Sequence, residues 1–154
     1  MRLRYLTLGV ALVFTALNLT AAGLDITIEA RVAARRQTSA NGQNPLTFTV
    51  KRGETLSVQW TATNPVPGPA LSDVTMHTVL DKEGAATQKP GPNALYEGAV
   101  NLDFRPGDRS SGNFRMPMVE PGNYVLRVET VGVKGKTDAK TGVESFATLK
   151  VTVQ

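Results

Sequence analysis

At 154 residues the chain has room for one domain with a real core, and 41% apolar against 19% charged residues is an ordinary globular balance. The net charge of +4 falls to +2 once Arg2 and Arg4 at the N-terminus are set aside, too little to mark a nucleic-acid binder. The absence of cysteine excludes a disulfide framework, a thiolate metal site, a cysteine nucleophile and a lipid-modified cysteine.

The first 24 residues form a leader. Met1-Arg-Leu-Arg4 is a short basic start, and 20 uncharged residues follow from Tyr5 to Leu24. A basic start, an apolar middle and the small-residue end Thr20-Ala21-Ala22 describe an export signal, with Ala22/Gly23 as a cleavage point. The same stretch is also about the minimum that spans a bilayer as a helix, with Arg2 and Arg4 on the cytoplasmic side. Both readings export residues 25–154 to the periplasm or outer face. Cleavage is the usual outcome of such a pattern, and the retained anchor, with residues 5–24 in the lipid bilayer, is the reading carried forward.

After the leader the pattern is that of short strands. Ile26, Ile28, Ala30 and Val32 alternate with polar residues, which predicts a strand over 25–32. Residues 33–45 are polar and predict a loop that includes Arg35 and Arg36. Leu46, Phe48 and Val50 predict a second strand. Residues 55–63 predict a third, with Leu56, Val58, Trp60 and Ala62 inward and Trp60 a core residue between two sheets. Asn64 to Pro69 carries three prolines and cannot hold a sheet ladder. Further strands are predicted over 73–80, 99–104, 113–116 and 145–153, and 83–98 is predicted as a long loop.

The remaining strand is the clearest. The Pro-Gly turn after Glu120 launches a run in which Tyr124, Leu126 and Val128 share one face and Val125, Arg127 and Glu129 the other. Residues 132–142 then read as a basic, glycine-rich hairpin tip. Eight strands and no helix after the leader predict an all-β, antiparallel two-sheet sandwich over residues 25–154.

The runs VKRGETLSVQWTATNP and SGNFRMP...EPGNYVLRVET resemble strands of bacterial immunoglobulin-like and fibronectin-III-like modules. Tyr124 resembles the corner tyrosine of such sandwiches, without the cysteine that accompanies it in antibody domains. The resemblance covers residues 46–153 and implies an immunoglobulin-like fold. It implies no activity, because such folds host adhesion, ligand-binding and structural roles alike.

Candidate chemistry is sparse. His77 is the only histidine and lies in a predicted strand, and no Gly-x-Ser-x-Gly nucleophile elbow is present. Soft ligands for copper exist in His77, Met76, Met116 and Met118, which suits Cu(I) in an exported protein. Met76 and His77 are adjacent, however, so in a strand they point to opposite faces, and Met76 and Met116 fit as core fillers. The acidic residues form no Asp-x-Asp-x-Asp loop for calcium, and nothing selects a glycosidase pair. The 6% aromatic content is mostly inward, a poor basis for stacking on sugars. Arg35, Arg36, Lys89, Lys134, Lys136 and Lys140 are the candidate partner contacts, within long loops on a rigid scaffold.

These residues predict a non-enzymatic, cofactor-free subunit that interacts with or stabilises a larger membrane complex, for example a respiratory or photosynthetic one. The alternative is a soluble periplasmic binding module for copper or another small ligand.

Overall fold

The computed structural model describes residues 23–84, 94–131 and 145–154. Residues 1–22 of the leader, Lys89, Lys134, Lys136 and Lys140 lie outside the described residues, and Leu24, assigned to the bilayer from the sequence, is instead part of the buried core. No helix among the described residues is long and apolar enough to cross a membrane.

Among the described residues, nine strands form two sheets: β1 (Asp25–Val32), β2 (Arg35–Ala40), β3 (Thr47–Val50), β4 (Thr55–Thr63), β5 (Leu71–Lys82), β6 (Tyr96–Phe104), β7 (Arg109–Pro117), β8 (Gly122–Val131) and β9 (Phe146–Val153). One sheet runs β2-β1-β4-β7 and the other β3-β9-β8-β5-β6. The alternation read from the sequence places the core between them. Ile26, Ile28, Ala30, Leu56, Val58 and Ala62 of the first sheet face Leu126, Val128, Leu149 and Val151 of the second, all buried.

Two expectations are corrected. The segment predicted as a loop over 33–45 contains strand β2, which pairs with β1 from Arg35 opposite Val32 to Ala40 opposite Thr27. Its sequence, RRQTSA, carries no apolar period because it is an edge strand with one buried side chain, Ser39. The Ser39 hydroxyl donates to the Thr148 carbonyl at 2.6 Å and ties the strand to the opposite sheet. The sandwich is also not wholly antiparallel, since β3 pairs with β9 in parallel. Successive strands reverse direction, and an even number of reversals separates β3 from β9, so both run the same way. Strands β5, β6 and β7 also begin earlier than predicted, at Leu71, Tyr96 and Arg109.

The alternating course sorts the connections into two ends. Beside the start of β1 lie 41–46, 64–70 and 105–108, and β8 finishes and β9 begins at this end. At the far end lie 33–34, 51–54 and 118–121, and β5 finishes and β6 begins at this end. The near end is knitted by two asparagines. Asn41 accepts from the Ile26 amide at 3.1 Å and donates to the Leu24 carbonyl at 3.2 Å, so it pins the entry to β1. Buried Asn64 donates its side-chain amide to the Pro69 carbonyl at 2.7 Å, and its backbone bonds Gly107 and Asp108 of the β6–β7 turn.

The Tyr124 hydroxyl donates to the Glu120 carbonyl at 2.9 Å, spanning the turn that launches β8. Tyr124→Phe keeps the ring in the core but leaves that carbonyl without its donor. A loss of about 1 kcal/mol in urea denaturation is expected.

Candidate functional site

The copper candidates do not assemble. Met76 and Met118 are buried in the core, and Met116 packs against it. His77 stands on the opposite, outer face of the five-stranded sheet, as the period of two in a strand requires. A coordination sphere joining them would have to pass through the sheet.

His77 instead belongs to a charged cluster on that outer face. Its Nε2 lies 3.0 Å from Glu97 Oε1 and its Nδ1 3.3 Å from Glu129 Oε1. Strand register brings them together, because His77 of β5 sits opposite Glu129 of β8, and Glu97 of β6 opposite the neighbouring Val79. Arg127 donates from Nε to the second Glu129 oxygen at 2.5 Å, and its guanidinium stacks over Phe146, 4.0 Å from the ring centroid. Each imidazole nitrogen faces a carboxylate rather than a hydroxyl, so the nucleophile–imidazole contact of a hydrolytic triad is not made here. Glu129 is 2% exposed, which makes this a buried, paired charge. Sequence reading put Arg127 and Glu129 on one face of a strand and left Glu97 in a loop, and it had no means of finding the register that joins them to His77.

Arg35 and Arg36, adjacent in sequence, are sent to opposite faces of β2. Arg35 turns toward the sandwich edge, donating to the Thr49 carbonyl at 2.6 Å and to Glu54 Oε2 at 2.5 Å. It is a brace between β2 and the β3–β4 turn. The Lys51 backbone amide, with Arg35 beside it, holds the Glu54 carboxyl below its ordinary value of 4.5. A depressed folded value means that the stabilisation is present above the ordinary carboxylate range and is lost as pH falls through the lowered value. Wild type is therefore expected to be more stable than Glu54→Gln at neutral pH. Thermal melts down a pH series would show the difference shrinking on acidification.

Arg36 points outward from the four-stranded sheet, where the second cluster lies. The register places Arg36 opposite Arg31, Arg31 opposite Ser57, and Ser57 opposite Arg115. One row thus crosses all four strands and carries three arginines. Beside it runs a second row of Thr38, Glu29, Gln59 and Asn113. A shallow hollow of about 240 Å³ lies over the two rows, with Glu29, Arg31, Ser57, Gln59, Asn113 and Arg115 among its walls. Arg31 is paired through Nε with Glu29 yet remains 56% exposed. Arg36 and Arg115 are exposed and have no ion-pair partner among the described residues. The sequence held a signal for outward positions, but nothing that aligned residues 31, 36, 57 and 115.

The architecture so built is a two-sheet β-sandwich. The sequence matches no protein-family profile and no curated protein. Among solved structures it is similar to the C-terminal domain of wzt, at 12% identity and a TM-score of 0.45, over 82% of this chain and 70% of that one. It is also similar to part of a family 123 glycoside hydrolase from Clostridium perfringens, studied for glycolipid glycan hydrolysis. There the identity is 11% and the TM-score 0.43, over 73% of this chain and 24% of that one. These likenesses concern the β-sandwich alone.

Proposed function

We propose that the chain is a non-enzymatic, exported sandwich domain, tethered to the membrane by its leader and serving as an interaction or stabilising subunit of a larger membrane complex. Respiratory and photosynthetic assemblies are the kinds that have room for such a part. The observation that carries this reading is the lack of a spacer between leader and core. Leu24 is already 1% exposed, and a side chain at Gly23 would collide with the Ser145 hydroxyl. A leader retained in the bilayer would therefore hold the sandwich against the surface, its near end of 41–46, 64–70 and 105–108 facing the headgroups.

Within the β-sandwich class we place the fold with immunoglobulin-like modules. The Tyr124 to Glu120 bond has the form of a tyrosine corner, and it supports this finer assignment.

The test is solubilisation of native membranes in mild detergent, followed by affinity isolation of the full chain. Co-isolation of a defined set of membrane subunits is the expected result. A monomer that isolates alone would contradict the proposal.

A further inference from the structure

We propose that the outer face of the four-stranded sheet binds an acidic polysaccharide, with Arg31, Arg36 and Arg115 taking its acidic groups. This face presents the same side chains whether or not the leader is cleaved.

The first ground is the cost of the arrangement. Arg31 and Arg36 are directly opposed across the β1–β2 pair. Like charges in that position destabilise a sheet, so a sequence selected for stability alone has reason to avoid them. Rules of local structure are commonly broken where a site needs it. Glu29 relieves only Arg31.

The second ground is shape and spacing. The row runs across the strands, with neighbouring strands about 4.8 Å apart and Arg36 about 14 Å from Arg115. A strand spacing is comparable to the length of one pyranose ring along a glycan, so an extended chain laid along the row would meet successive strands. Guanidinium groups match carboxylate and phosphate oxygens in a bidentate fork. Ser57, Gln59 and Asn113 beside them supply hydroxyl and amide groups of the kind that read sugar hydroxyls.

The third ground is what the two rows lack. None of their eight outward side chains is apolar or aromatic, and Val58 and Phe114, which also line the hollow, are buried core residues. Protein interfaces take their anchors from Trp, Tyr and Arg, and these rows offer only the arginines, without the aromatic or apolar pocket that usually surrounds them. A neutral sugar would need a ring to stack on. A hydrophilic polyanion needs neither, and its affinity comes from charge and hydrogen bonds.

The experiment uses the full chain in non-ionic detergent micelles. It is applied to immobilised polygalacturonate, to immobilised neutral dextran, and to phosphatidylglycerol vesicles. Retention on polygalacturonate, release by salt and no retention on dextran are expected. The Arg36→Gln/Arg115→Gln double variant should bind polygalacturonate at least about tenfold more weakly. Its melting midpoint should be unchanged or about 1–2 °C higher, since the opposed pair is relieved. That combination separates loss of a site from loss of fold. Equal binding by the double variant would overturn the proposal, as would no retention of wild type on polygalacturonate. Retention confined to the vesicles would overturn it in favour of an anionic lipid surface.

Discussion

Replacing Trp60 with alanine is expected to cost about 3–5 kcal/mol, among the largest effects open to a single substitution in this domain. Trp60 is 6% exposed and stands directly opposite Gly112 of β7. The indole lies on that glycine, and a Cβ added at Gly112 would come within 2.5 Å of two ring carbons. Gly112→Ala therefore forces the indole to move and is expected to cost about 1–3 kcal/mol. The two effects share one cause, so they should not add. In the Trp60→Ala background, Gly112→Ala fills vacated space and should be close to neutral. Urea denaturation of both single variants and the double variant measures this. Additive losses would show that the indole and the glycine do not depend on each other.

The second large effect is expected at Glu129. Its carboxylate is the shared partner of Arg127 and His77, whose side chains are 15% and 11% exposed. Glu129→Ala leaves a guanidinium and an imidazole facing each other across an emptied site. Truncating one member of a buried pair costs about 3–5 kcal/mol when its partners are fully enclosed. Here the residual exposure of both partners lowers the expectation to about 2–3 kcal/mol. Glu129→Gln keeps the shape and one acceptor oxygen, so it should cost about 1 kcal/mol. Equal losses for the two variants would show that packing, not pairing, holds this cluster.

Much of the fold was legible because buried strands write their face into the sequence. Ile26, Ile28 and Ala30, or Tyr124, Leu126 and Val128, could be read directly, and the opposed directions of Met76 and His77 follow from their adjacency in a strand. Strand β2 was illegible for a physical reason. An edge strand with only Ser39 buried has no apolar period, and its remaining side chains look like those of a loop. Val100 shows the converse, an apolar residue in the alternation of β6 that remains 43% exposed near the sheet edge.

The candidate sites were hidden at a different level. Arg35 and Arg36 read as one basic pair, yet a pleated backbone parts them. One becomes a brace on Thr49 and Glu54, and the other joins a row assembled from four strands. Such a row is a product of register, and register is fixed by long-range pairing that a single sequence does not display.

The central claim is that this sandwich works while attached to its leader. The measurement that tests it most directly is the intact mass of the protein extracted from its native membranes. The account predicts a mass that includes Met1 to Leu24, or lacks only the initiator methionine. A mass beginning at Gly23 would contradict the tether and make the domain a released periplasmic protein.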